Sequence, residues 1–247
     1  MMIWHVGLGA SNAFMERFVG MGLRNGMISA WSHYEEAGRL TENKRSFFRS
    51  IGGRIFVDSG ALSALRIRPA RLDWLARQDE IAALARRTGA DFVSHLDVPM
   101  ERRGLANAGL SRKAALDTTI RNARDFMDAD TVPARKVYVI QGWSIDEYRR
   151  CLRAFLDLGL PDGGGFGLGT CCMRMGTRGL WQIAEWARGA TEGEWLHAFG
   201  VGDVAKVPRL ARIGFDSIDE GNTLRAVIYG KDERLAALLA AYRGFDA

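Results

Sequence analysis

Cysteine is scarce in this 247-residue sequence, with only Cys151, Cys171 and Cys172 present. An odd count with two adjacent members builds no disulfide framework, which points to a reducing compartment. Long apolar runs are missing too: none approaches the roughly 20 residues that a membrane-spanning helix needs. The short apolar stretch at the N-terminus lacks the basic start and the layout of a secretory signal. The expectation is a cytoplasmic protein with no membrane partner. Low-complexity tracts, long linkers and short-period repeats are also lacking, so a single domain is expected over 1–247. Lysines are few, and none ends an apolar run in a setting that suggests Schiff-base chemistry, which argues against an aldolase or lyase.

Hydrophobic residues make up 47% and charged residues 26%, the balance of a soluble enzyme with a large core. The net charge is +5, and the cations are mostly arginine. Arginine suits bidentate phosphate contact, so the excess fits a polyanionic partner; it fits a solvated arginine-rich surface equally well.

Short apolar, β-rich runs alternate with longer helical stretches, the pattern of repeated βα units. Strands are expected at 3–6, 27–31, 54–57, 91–96, 136–140, 165–168, 195–199 and 213–217. Helices are clearest at 71–87, 111–127, 145–158, 178–188 and 204–212, with Ser111 as a cap and Gly89 and Gly159 as stops. A last helix is expected within 231–247. Eight strands with intervening helices fit an α/β, (β/α)8 TIM-like barrel better than an open, doubly wound sheet. The segment 7–43 reads as a lid or an irregular first unit.

Active sites of such barrels lie at the C-terminal ends of the strands. The segments just past the expected strands are polar or rich in glycine: Asp58-Ser59-Gly60, Asp97, Gln141-Gly142, Gly169-Thr170, Gly200-Val201-Gly202 and Asp216-Ser217. Any one aspartate is as plausibly a helix cap as a catalyst. Three at corresponding positions, beside a Gln-Gly, point to a site. Two carboxylates facing one ligand can divide the work at an anomeric carbon, one as nucleophile and the other, kept partly protonated, serving the leaving group.

These segments resemble those of the tRNA-guanine transglycosylase superfamily. Phe56-Val57-Asp58-Ser59-Gly60 resembles the family's Asp-Ser-Gly-Gly-Phe, and Val139-Ile140-Gln141-Gly142 its Val-Gln-Gly. Phe166-Gly167-Leu168-Gly169 resembles Gly-Gly-Leu, Phe199-Gly200-Val201-Gly202 resembles Met-Gly-Val-Gly, and Gly214-Phe215-Asp216-Ser217 resembles the Phe-Asp-Cys segment of the nucleophile. The resemblance implies Asp216 as nucleophile at C1′ and Asp58 as general acid/base. It implies Asp97 accepting from the guanine N1/N2 edge and Gln141, beside Gly142, donating to O6. Ser59 and the backbone amides near Leu168 and Gly169 would complete the base site. Arg102, Arg103, Arg174 and Arg178 lie past strand ends and would meet phosphates, with Arg66, Arg68, Arg71, Arg112 and Lys113 as similar candidates.

Departures from the family refine the expectation. No cysteine follows Cys172, so the family's C-terminal zinc extension is not expected, nor any metal or other cofactor. Ala61 replaces the second glycine, and Ile218-Asp219-Glu220 replaces the stretch after the nucleophile. The pattern looks most like the DpdA-type DNA transglycosylases, which exchange guanine for a 7-deazaguanine base such as preQ0. Because a target base must leave the stack, either a DNA-opening partner protein or a preference for unpaired DNA is expected. The alternatives are a tRNA substrate for the same chemistry, and a non-catalytic nucleic-acid- or deazaguanine-binding barrel. Asp219 and Glu220 rank below Asp216 because they lie past the expected strand. His197 reads as a hydrogen-bonded core histidine and His95 as a core or mouth residue. Trp143 reads as packing more than as a stacking platform.

Overall fold

The computed structural model describes residues 3–7, 24–31, 52–66, 70, 72–171, 178–201 and 204–220. Within them the apolar runs form strands β1 (Ile3–Gly7), β2 (Gly26–Ser29), β3 (Ile55–Asp58), β4 (Phe92–Ser94), β5 (Arg135–Ile140), β6 (Gly165–Leu168), β7 (Leu196–Ala198) and β8 (Ser217–Glu220). Each strand pairs in parallel with the next, and β8 pairs with β1, so the sheet closes into a barrel. The described helices are α1 (Ala61–Arg66), α2 (Gln78–Thr88), α3 (Arg102–Ala108), α4 (Arg112–Met127), α5 (Ile145–Asp157), α6 (Arg178–Ala190) and α7 (Val207–Ile213). The expected α/β parallel barrel is the architecture observed. The helix expected within 231–247 lies outside the described residues, as does most of 7–43.

Local chemistry sets the helix ends. Ser111 accepts from Ala114 N–H at the start of α4, and Ser144 and Glu147 form a capping box on α5. The helix expected at 71–87 is divided: a 3-10 turn over Leu72–Ala76 precedes α2. Within that turn Trp74 is fully buried, and its indole N–H donates to the Ser59 carbonyl at 3.0 Å. The anchored tryptophan fixes the loop beyond β3. Two helices escaped the sequence pattern, α1 and α3, each too short to display a full amphipathic period.

Strand parity divides the interior into two regions. On β3, Ile55 and Val57 join the large cluster between the sheet and the helices. Phe56 faces the lumen instead, where its ring meets Phe92, His197 and Phe199 at centroid separations of 5.9, 4.8 and 5.7 Å. Each such buried side chain contributes roughly 1.5–3 kcal/mol. Gly167 of β6 makes room for this plug, since a Cβ there would stand 2.4 Å from the Phe199 ring. Two residues further along a strand, on the same face, come the polar groups of the upper lumen: Asp58 after Phe56, and Asp219 after Ser217.

The eighth strand departs from expectation. Ile213 is the last residue of α7, and Gly214 caps that helix at φ 102°, a conformation that favours glycine. The strand therefore begins at Ser217, past most of the expected 213–217, and Asp216 precedes it. Asp216 sits at the N-terminal end of the barrel, opposite Asp58. Its N–H donates to Leu196 O at 2.9 Å and its Oδ2 accepts from Leu196 N at 2.8 Å. Arg188 adds an ion pair at 3.5 Å.

Asp91 makes the same pair of bonds one half-barrel away. Gly89 caps α2 in the left-handed conformation, and Asp91 N–H donates to Ile55 O at 2.9 Å. Asp91 Oδ2 accepts from Ile55 N at 2.8 Å. In both places a Gly-apolar-Asp sequence stops a helix and ties the next strand to the start of the previous one. Asp216 is thus a clamp of the barrel floor, and its expected catalytic position is corrected. Asp91→Ala and Asp216→Ala should each lower stability in urea unfolding by about 1–2 kcal/mol, because a strand-end N–H loses its acceptor. Neither should alter ligand binding at the opposite end of the barrel.

Candidate active site

At the C-terminal ends of the strands lies a cavity of about 140 Å³ whose lining includes Asp58, Ser59, Asp97, Gln141, Gly169, Thr170, Phe199 and Asp219. Asp58 closes β3, and its Oδ2 accepts from Gly60 N–H at 3.1 Å. Gly60 adopts φ 69°, and a Cβ there would stand 2.3 Å from Ser29 Oγ, so the turn that presents Asp58 requires glycine. Ser59 is buried and donates its hydroxyl to Asp97 Oδ1 at 2.9 Å.

Asp97 and Gln141 form the cavity's second feature. Gln141 Nε2 donates to Asp97 Oδ2 at 2.5 Å, and Thr170 Oγ1 donates to Gln141 Oε1 at 2.5 Å. The acceptor Asp97 fixes which end of the amide is the donor, and the Thr170 hydroxyl, which itself accepts from Met100 N–H, donates to the other end. Gly169 lies flat beneath this amide, since a Cβ there would be 2.3 Å from Gln141 Nε2. The floor presents, side by side, a carboxylate acceptor and an amide donor held in one orientation.

Asp219 lies at the far side, on β8. Gly200 N–H donates to its Oδ1 at 2.7 Å, and His197 Nε2 is 3.2 Å from the same oxygen. His197 is fully buried, and desolvation pushes its pKa down to about 3, so the imidazole is neutral. A carboxylate at Nε2 selects the tautomer that carries hydrogen there, and Nδ1 then accepts from Ser217 Oγ at 2.6 Å. Both bonds reach Oδ1, which leaves Oδ2 as the oxygen available to a ligand.

The protonation states arise from burial and crowding. Among the described residues none that lines the cavity is basic, whereas Asp58, Asp97, Glu101 and Asp219 are acidic, and Arg66 at the edge pairs with Glu101 at 3.2 Å. Burial, reinforced by Asp97 and then Asp219, raises Asp58 to about 7. Burial raises Asp219 to about 7 as well, against the Gly200 bond. Burial also raises Asp97, opposed by Gln141 and Ser59. Asp58 and Asp219 therefore both titrate near neutrality, where protonated and ionised carboxyls coexist in the site. Among the described residues no three His, Cys, Asp or Glu side chains are grouped to hold a metal ion.

The expected site residues divide accordingly. Asp58, Ser59, Asp97, Gln141 and Gly169 line one cavity, and Asp216 lies at the opposite end of the barrel. Gly142 is buried beneath Tyr148 and does not line the cavity. The Leu168 side chain packs in the main core. The Gly169 N–H serves the sheet, donating to Ile140 O, and its carbonyl accepts from Tyr148 Oη at 2.8 Å. Arg102 and Arg103 are exposed in the first turn of α3, Arg178 opens α6, and Arg174 lies outside the described residues.

Sequence reasoning undervalued Asp219 and missed Thr170 as the group that orients Gln141. The signal for Asp219 was present: Gly214 stops a helix as Gly89 does, so the strand had to start after Asp216, as β4 starts after Asp91. Neither the protein-family models nor the curated proteins give a match to this chain.

The raised carboxyls predict how stability depends on pH. Between about pH 4 and 7 the folded protein keeps protons on Asp58 and Asp219 that the unfolded chain has released. Their contribution is therefore complete below about pH 4 and is lost as pH rises to about 7. Asp219→Asn, which keeps an acceptor for Gly200 and His197 but carries no charge, should have a higher urea midpoint than the wild type at pH 8. The gap should close toward pH 4; an equal gap at both values would contradict burial of this carboxyl.

Proposed function

We propose that this barrel is a base-exchanging transglycosylase, replacing guanine in DNA with a free 7-deazaguanine base by double displacement at C1′. The observation that carries this reading is the convergence of Asp58, Asp97, Gln141 and Asp219 on one small cavity. Two carboxyls that titrate near neutrality stand with a fixed acceptor–donor pair. That pair complements the N1–H and O6 edge of a guanine-like base, with Asp97 accepting and Gln141 donating.

In this scheme Asp219 takes the nucleophile's role that the family resemblance had given to Asp216. Its free Oδ2 attacks C1′ while the C1′–N9 bond breaks, and the bonding electrons leave with guanine. Asp58, in its protonated form, supplies the proton that the departing base takes up. The incoming base then loses its N9 proton to Asp58 and attacks C1′, which breaks the C1′–Oδ2 bond and restores both carboxyls. His197 and Gly200 hold Oδ1 throughout, so the attacking oxygen does not rotate away. The acidic lining favours a neutral heterocycle rich in N–H donors.

The surroundings support a polyanionic substrate. Helices α3, α4 and α6 open with Arg102, Arg112 and Arg178, on the side of the barrel where the strands end. A cation at a helix N-terminus opposes the helix dipole, at a cost of about 0.3–1 kcal/mol. A ring of them around an acidic cavity fits phosphates that stay outside while one base enters.

The test is incorporation of labelled guanine or preQ0 into guanine-containing DNA, with tRNA transcript assayed beside it. Exchange into DNA is expected, with a bell-shaped pH profile centred near neutrality. Asp58→Asn and Asp219→Asn should each lower the rate by about three orders of magnitude or more, while Asp216→Asn should retain exchange. Protein trapped on substrate and digested should carry the sugar on the peptide containing Asp219 at that residue. Attachment at Asp216, or no exchange into either polymer, would overturn the proposal.

A further inference from the structure

A second concavity, of about 500 Å³, lies between the N-terminal halves of α5 and α6. Its lining includes Trp143, Ser144, Arg149, Gln182, Ile183 and Trp186. Only one side chain separates it from the carboxylate cavity. The Tyr148 hydroxyl donates to the carbonyl of Gly169 in the cavity wall, and its ring lies 6.1 Å from that of Trp186 in the groove. The chain makes the same link: Gln141 lines the cavity, and Trp143 lines the groove two residues later, within about 7 Å.

The two concavities have opposite chemistry. Among the described residues the cavity is lined by four acids and no base, whereas the groove is lined by two indoles and Arg149 and no acid. The acids nearby are engaged. Asp146 pairs with Arg149 at 3.3 Å, Glu147 accepts from the N–H groups of Trp143 and Ser144, and Glu185 pairs with Arg209. Arg112 stands over the Trp143 ring at 5.7 Å, a further cation at the rim.

We infer that this groove receives the nucleotide adjacent to the target guanine in single-stranded DNA, with its base against the indoles and its phosphate toward Arg149 and Arg112. Indole faces and cations are what an unstacked base and its phosphate require. Phosphates are repelled by the acidic cavity, so a strand that delivers one base there must lay its neighbour on the rim. The groove is a concave part of the rim linked to the cavity wall through Tyr148, and its described lining holds no acid. This inference rests on the nucleic-acid reading of the site and assigns it a flanking-base subsite.

The test uses an end-labelled pentadeoxynucleotide with a central guanine, the same pentamer with abasic positions on both sides of that guanine, and the matching pair in RNA. Binding is tracked by anisotropy. The wild type should bind the intact DNA pentamer about tenfold more tightly than the abasic one. Trp143→Ala should bind both at the weaker level. Gln182→Trp fills the groove from an exposed position, leaves the core untouched and should have the same effect. Equal binding of the two pentamers by wild type, equal weakening of both by the variants, or no binding of either would overturn the inference. Flank dependence in RNA alone would overturn the assignment to DNA. The same titration in Asp219→Asn separates the two proposals. Flank dependence there, together with no base exchange by the wild type, would leave the subsite standing and remove the catalytic reading alone.

Discussion

Burial and crowding of carboxyl groups is the constraint on which the site depends. Asp58, Asp97 and Asp219 are brought together by strand ends of a closed sheet, and among the described residues nothing basic lines their cavity. An ordinary carboxylate would be ionised at neutral pH. Here desolvation, joined at Asp58 by the charges of Asp97 and Asp219, holds two of them at about 7, so a proton donor and an anion coexist in one small volume. The same crowding works against stability above neutrality. The protein tolerates it because the aromatic plug below and the helix layer outside supply the apolar burial that holds the barrel closed.

The surrounding hydrogen bonds refine what crowding provides. Asp97 accepts from Ser59 and Gln141, and Gln141 is turned by Thr170, so a buried network is satisfied around a fixed donor–acceptor pair. Asp219 is held at one oxygen by a neutral histidine and a backbone amide, which differentiates its two oxygens. The partners come from β3, β4, β5, β6, β7 and β8 and their loops, so the arrangement exists only when the barrel is closed.

Asp91 and Asp216 show the other use of the same residue type. At the opposite end of the barrel, aspartate after a Gly-capped helix accepts the first N–H of the preceding strand and ties consecutive units together. Acidic groups at the floor bind backbone, and acidic groups at the mouth are crowded and titrate near neutrality. Outside the mouth Arg102 and Arg112 stand in the first turns of two helices.

The sequence alone determined the order of the strands and of the longer helices, the caps at Ser111 and Gly89, and the polar residues ending the third to sixth strands. Each of these rests on local periodicity and on glycine or hydroxyl chemistry that acts within a few residues. It did not determine which aspartate of the last strand faces Asp58, because Asp216 and Asp219 both come directly after an apolar residue in the same short segment. Three residues is an odd number, and a shift of one parity in a strand exchanges lumen for exterior. Only pairing with β7 and β1, together with the helix stop at Gly214, fixed that register and put Asp219 in the cavity. The roles of Thr170, His197 and Tyr148 were likewise hidden, because each acts on a partner 20 to 29 residues away that only the folded barrel brings within reach.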